Sequence, residues 1–165
     1  ALPAVMGRFP DLCVRIVGRG ADRNALGLPE ALASRVIFEG FVERERLPEV
    51  YAAATVCVLP SLTEAFGLTM AEAMSCGVPV VGSRLGAGPE LARDGNEALL
   101  VDPRNVEELA ATIIRCVEDA DLRRRLSARA RTRAVESFSW EQVVLRNERL
   151  FEGVCGKEAA WAQSA

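Results

Sequence analysis

Residues 55–83 read TVCVLPSLTEAFGLTMAEAMSCGVPVVGS, and this stretch decides the fold class. Thr55 to Leu59 is a β-branched, apolar run of strand length, closed by Pro60 and Ser61. Gly67 to Cys76 reads as a helix. Leu68, Met70, Ala71, Ala73 and Met74 cover most of its circumference, which predicts burial. Gly77 supplies the stop and Pro79 follows closely. Pro79 to Val81 then opens the next strand. Strand, short loop, buried helix and strand make a parallel crossover unit, and therefore an α/β fold.

Glu64 and Glu72 stand eight positions apart across this strand-to-helix turn. A helix start at the carboxyl edge of a sheet is where phosphorylated, hydroxyl-rich ligands bind. The N–H groups of Phe66, Gly67 and Leu68 are expected to lie free there, suited to an anion. Gly67 would let the backbone come close to a phosphate. Glu72 has two readings. It faces solvent at the sheet edge, or it accepts hydrogen bonds from ligand hydroxyls, because an unpaired buried charge is costly.

On the amino-terminal side, Ala1 to Arg8 reads as the tail of a helix and Leu12 to Val17 as a strand closed by Gly18-Arg19-Gly20. A helix is expected over about 22–33, weakened by Gly27 and Pro29. Val36 to Phe38 is a short strand, and Pro48 sits near the start of a helix ending around Ala54. Glu90 to Arg93 reads as a short helix and Ala98 to Val101 as a strand. The last third is helical. Asn105 and Glu108 have capping-box spacing, ahead of an apolar stripe of Val106, Leu109, Ile113, Ile114 and Val117. A further helix covers about 121–135. Ser139 and Gln142 form a second capping box, with Phe138 and Val143 placed as a hydrophobic staple, for a helix running to about Phe151. The tail from Gly156 is expected to fray.

The chain has 165 residues, half of them apolar, with a net charge of −3. The length suits one domain with a sizeable core, and the charge argues against a nucleic-acid partner. Arg123, Arg124, Arg125, Arg129, Arg131 and Arg133 crowd one stretch, read as a solvated helix face, with an anionic-lipid contact as the alternative. No apolar run is long enough to span a bilayer and none resembles a signal peptide. The five cysteines lack C-x-x-C spacing and read as free core thiols in a reducing compartment. There is no histidine, which removes the most usual general base and metal ligand. With no Cys/His cluster either, no metal is expected.

Taken together, IVGRG at 16–20, FEGFV at 38–42, LPSLTEAFGLTMAEAMSCGVPVVGS at 59–83 and GAGPEL at 86–91 resemble the donor site of retaining GT-B glycosyltransferases of the E-x7-E, or group 1, type. The similarity runs over roughly residues 1–153. It implies a Rossmann-like parallel sheet flanked by helices, one half of a GT-B fold, with residues 154–165 as a tail. It implies that Glu72 holds the ribose hydroxyls of a nucleoside diphosphate sugar. Catalytic Glu64 would lie near the transferred sugar. Backbone at Phe66, Gly67 and Leu68 would hold the distal phosphate and sugar. Gly40, Phe41 and Val42 would border the base, and Gly18 joins the donor set. Ala87 departs from the Gly-Gly of many relatives, a change tolerated unless position 87 requires positive φ.

The resemblance further implies that the sheet's first, central strand is absent here, with its Gly-Arg sequence and the following Lys that grip the diphosphate. Leu12–Val17 and Thr55–Leu59 would then flank a gap and leave unpaired edges. An N-terminal acceptor domain or subunit would be the missing partner, and the acceptor could be lipid-linked. The expected reaction is sugar transfer with retention to an acceptor hydroxyl, in the cytoplasm or at the inner membrane face. The isolated chain is expected to fold marginally and to transfer no sugar. A stand-alone or degenerate sugar-nucleotide module is the alternative.

Overall fold

A computed structural model describes residues 1–20 and 26–162, with side chains to Cys155. The elements are α1 (Leu2–Arg8), β1 (Val14–Val17), α2 (Glu30–Ala33), β2 (Val36–Gly40), α3 (Leu47–Ala52), β3 (Cys57–Leu59), α4 (Leu68–Ser75), β4 (Val80–Ser83), α5 (Gly88–Leu91), β5 (Leu99–Val101), α6 (Val106–Glu118), α7 (Ala120–Phe138) and α8 (Trp140–Ala162). All strand pairings are parallel, as the crossover unit requires. They form two sheets, β1-β2 and β3-β4-β5, and among the described residues no ladder joins them.

The core lies on both faces of β4 and β5. Val80 and Leu100 point to one face, against Met70, Ala73 and Met74 of α4 and Ala130 and Ala134 of α7. Val81, Leu99 and Val101 point to the other, against Val5 of α1, Leu109 and Ile113 of α6, and Leu122 and Leu126 of α7. The long α7 thus reaches both cores. Every residue of β4 and β5 is buried, the three of β3 are half-buried, and β1 alternates between half-buried and exposed. Arg35 ties β2 to α1: its guanidinium donates to the carbonyls of Met6 at 3.0 Å, Phe9 at 2.9 Å and Pro10 at 2.7 Å.

Helix α4 begins one residue inside the predicted span and ends with Gly77 at φ +70°. The Gly77 N–H donates to Met74 O at 3.0 Å and the Val78 N–H to Ala73 O at 3.2 Å, a Schellman stop. Other bounds differ from the sequence reading. Of the helix expected over 22–33, Glu30–Ala33 is α-helical, Leu26 has 3-10 geometry, residues 27–29 are not helical, and 21–25 lie outside the described residues. Pro29 is extended, at φ −53° and ψ 143°, which delays the helix. The short helix placed at Glu90–Arg93 starts two residues earlier, with Pro89 accommodated in its first turn. The final helix continues past Phe151 to Ala162 instead of stopping.

The two capping boxes are half formed. Asn105 accepts from the Glu108 N–H at 3.0 Å, but the Glu108 carboxylate pairs with Arg84 at 2.9 Å rather than returning to the cap. Ser139 accepts from the Gln142 N–H at 3.4 Å.

The arginines of α7 are not merely a solvated face. Arg123 donates to the carbonyls of Cys116, at 2.9 Å, and Val117, in the last turn of α6. Arg131 donates to Ser75 O of α4 at 2.7 Å, and Arg133 to Glu90 O and Leu91 O of α5, both at 3.2 Å. Three guanidiniums therefore satisfy helix C-terminal carbonyls that lack intrahelical donors. Composition could not reveal this, because the carbonyls belong to other helices. Arg123→Gln and Arg133→Gln are each expected to cost about 1 kcal/mol in chemical denaturation. Arg125→Gln, with no partner among the described residues, should stay within about 0.5 kcal/mol.

All five cysteines are free thiols. Burial pushes the Cys57 and Cys116 thiols up to about 11. A thiol with a raised native pKa stabilises the fold below the unfolded value and loses that contribution as pH rises through the native one. Stability should therefore fall between about pH 9 and 11. At pH 8, iodoacetamide should alkylate exposed Cys13 and Cys155 well before Cys57 and Cys116.

Candidate functional site

The turn between β3 and α4 is held by glycine. Gly67 is buried at φ +84°, and a Cβ there would sit 2.8 Å from Leu91 Cδ1 and 3.4 Å from Glu64 Cγ. Across the cleft, Gly86 lies against the backbone of Glu64, its virtual Cβ 3.0 Å from both Glu64 N and Glu64 O. Glu64 is thereby wedged between two tight turns while its side chain stays exposed. Ala87 sits at φ −74°, so it has no need of glycine.

Helix α4 has no side-chain N-cap. Among the described residues, the N–H groups of Phe66, Gly67, Leu68 and Thr69 have no hydrogen-bond acceptor. Four consecutive free amides thus stand at the positive end of a helix dipole, an arrangement suited to a phosphate. The fourth, Thr69, was missed in the sequence because the helix start was placed one residue early. Gly67 and Thr69 line a cleft together with Ser61, Glu64, Ser83 and Gly88, over an apolar floor that includes Met70 and Leu91.

Glu72 lies one turn further along α4, half-buried. The Tyr51 hydroxyl donates to its Oε2 at 3.2 Å. The carboxylate is therefore neither an unpartnered buried charge nor a freely solvated one. Burial first, and then the Glu72 charge, push the Tyr51 phenol far above its ordinary range, so it remains a donor. Tyr51 was also missed, although it is the chain's single tyrosine.

The other predicted residues form a second group. The Gly18 N–H donates to Gly40 O at 2.8 Å, joining the loops after β1 and β2. Gly40 has φ +64°, and Phe41 is exposed in the loop it opens, followed by half-buried Val42. The Arg19 guanidinium lies 4.5 Å from the centre of the Phe41 ring. The structure thus brings Glu64, Phe66, Gly67 and Leu68 together at one strand end and Gly18, Gly40, Phe41 and Val42 at another. Glu72, linked to Tyr51 of α3, makes no direct bond to either group.

The family model for glycosyl transferases group 1 matches residues 1–119. The MMP alpha-(1->4)-mannosyltransferase of Mycolicibacterium hassiacum is 42% identical over 117 residues, covering 70% of this chain and 28% of its own length. The structure of Anabaena HepE in complex with UDP superposes with a TM-score of 0.77 at 29% identity, covering 94% of this chain and 44% of that one. The C-terminal domain of the group 1 protein LpcC from Francisella tularensis shares the fold, with a TM-score of 0.73 at 24% identity over 82% of this chain and 74% of that domain. The chain thus spans about a quarter of the length of the mannosyltransferase and less than half that of HepE. With its parallel sheet, its helix-start turn and a family match over most of its length, this chain belongs to the group 1 glycosyltransferases and has the fold of their C-terminal GT-B domain.

Proposed function

We propose that this domain binds the nucleoside diphosphate sugar donor of a retaining glycosyltransferase. The observation that carries the proposal is the set of free amides at Phe66, Gly67, Leu68 and Thr69, flanked by the carboxylates of Glu64 and Glu72. In this reading the amides hold the distal phosphate, where charge develops as the diphosphate leaves. Glu72 accepts from the ribose hydroxyls. Glu64, exposed beside Gly67, lies against the transferred sugar, accepts from its hydroxyls and favours positive charge developing on the ring. Gly40, Phe41 and Val42 border the base, beside Gly18. HepE was solved with UDP, which supports a nucleotide ligand without fixing the base for this chain.

The unjoined sheets support a further part of the proposal. The free edges of β1 and β3 would accept one additional parallel strand, giving the order β2-β1-x-β3-β4-β5. That strand would carry basic groups for the diphosphate, and the acceptor would be supplied by a partner domain. Residues 1–165 alone are then expected to bind donor weakly and to transfer no sugar, because catalysis needs donor and acceptor held in one geometry with water excluded. The test is a calorimetric titration of the folded chain with uridine, guanosine and adenosine diphosphates and with the matching nucleosides. Saturable binding by at least one diphosphate, lost in its nucleoside, is expected. Absence of binding by every diphosphate would leave a degenerate domain. Turnover by the isolated chain would overturn the proposed division of labour.

A further inference from the structure

We infer that Tyr51 is a positioning residue that pre-sets the Glu72 carboxylate for a pair of vicinal hydroxyls; the inference rests on the donor-site reading of Glu72. Tyr51 lies in α3 and Glu72 in α4, twenty-one positions apart in the chain, and the phenol donates to Glu72 Oε2 at 3.2 Å. A glutamate on a helix has three rotatable side-chain bonds, and fixing it when a ligand binds costs conformational entropy. Here one carboxylate oxygen is already anchored from an adjacent helix. Oε1 keeps its full acceptor capacity, and Oε2 keeps its remaining lone pair. A carboxylate held this way can take two hydroxyls on neighbouring carbons at once, the spacing found in ribose.

The anchor is rigid on its own side. The Tyr51 ring packs against the cluster of Met70, Ala73, Met74 and Val80, with Cys57 and Phe138 at its border. The phenol therefore has little freedom to follow a wandering carboxylate. Burial and the neighbouring Glu72 charge keep it protonated, so it donates throughout the working pH range. The α3 helix also follows directly on the Gly40-Phe41-Val42 loop, through a single turn at Arg44–Arg46. The same short segment thus carries the loop proposed to border the base and the residue that aims the ribose acceptor.

The experiment uses ligands that differ only in their hydroxyls. The nucleoside diphosphate that binds the 165-residue chain best among those of uridine, guanosine and adenosine is compared with its 2′,3′-dideoxy counterpart. Both are titrated into wild type, Tyr51→Phe, Glu72→Ala and the double variant, with circular dichroism confirming that each is folded. Wild type should prefer the ribonucleotide. Tyr51→Phe should shrink that preference about three- to tenfold while leaving the dideoxy affinity unchanged, the size expected when the carboxylate must be ordered on binding instead of beforehand. In the Glu72→Ala background, Tyr51→Phe should change nothing further. A preference that survives Tyr51→Phe intact but disappears in Glu72→Ala would overturn the positioning role and keep the donor site. A preference that survives Glu72→Ala would overturn the donor-site reading itself. Should Tyr51→Phe not fold, Glu72→Gln serves instead. Its amide oxygen still accepts from Tyr51 and from a hydroxyl, so it should keep part of the preference that Glu72→Ala loses, and a preference as low as that of Glu72→Ala would overturn the inference.

Discussion

Gly88→Ala is expected to lower stability by about 3 kcal/mol, near the upper end of overpacking costs. A Cβ at Gly88 would land on the Ser83 carbonyl oxygen, far inside van der Waals contact. The obstruction is backbone, not the end of a flexible side chain, so it cannot swing aside. Both partners are buried, Ser83 closing β4 and Gly88 opening α5. Relief would require α5 to lift off the sheet, taking Leu91 out of its core cluster. For a chain of this size the loss corresponds to a fall in Tm of roughly 6–12 °C. Gly7→Ala is the matched control. Gly7 lies within α1, is exposed and has nothing within 4 Å of a virtual Cβ, so alanine there should be neutral or slightly stabilising. Thermal unfolding of both variants checks the pair; a Gly88→Ala transition at the wild-type temperature would show that the β4–α5 contact is looser than described.

The crossover unit was legible because each signal in it is local. The β-branched run before Pro60, the apolar circumference of 68–74 and the glycine at 77 all act within a few residues. The same locality explains the failures. The Glu108 carboxylate was assigned to its own helix cap, but Arg84, far away in sequence, competes for it and wins at 2.9 Å. The arginines of α7 looked like a charged face, because the carbonyls they reach belong to three other helices. Glu97 is a local exception. It is 2% exposed yet ionised more readily than usual, because the cost of burial is outweighed by bonds from Arg93 and Asn96. At the site, the glycine at 67 and the glutamate at 72 could be read from spacing, but the Tyr51 partner could not. Nothing in a one-dimensional pattern tells which helix will lie beside α4.

Glu72→Ala is expected to weaken nucleoside diphosphate binding by about 1.5–3 kcal/mol, the range for hydrogen bonds to a charged group. That is roughly a ten- to hundredfold rise in Kd. Glu72→Gln should cost less, since the amide oxygen still accepts. Stability needs a separate check, because removing the carboxylate leaves the half-buried Tyr51 hydroxyl without its acceptor. Calorimetric titration on variants matched for circular dichroism separates the two effects. Unchanged affinity in a folded Glu72→Ala chain would remove Glu72 from the donor site.

A diphosphate seated on the free amides of the β3–α4 turn would give each of them an acceptor. The most direct measurement follows the backbone amide resonances of the labelled chain as a nucleoside diphosphate is added. The largest perturbations should fall on Phe66, Gly67, Leu68 and Thr69, where the N–H groups gain an acceptor, with a second set at Gly40, Phe41 and Val42. Inorganic pyrophosphate should move the first set and spare the second. Saturable perturbations that bypass residues 66–69 and gather elsewhere would contradict the account.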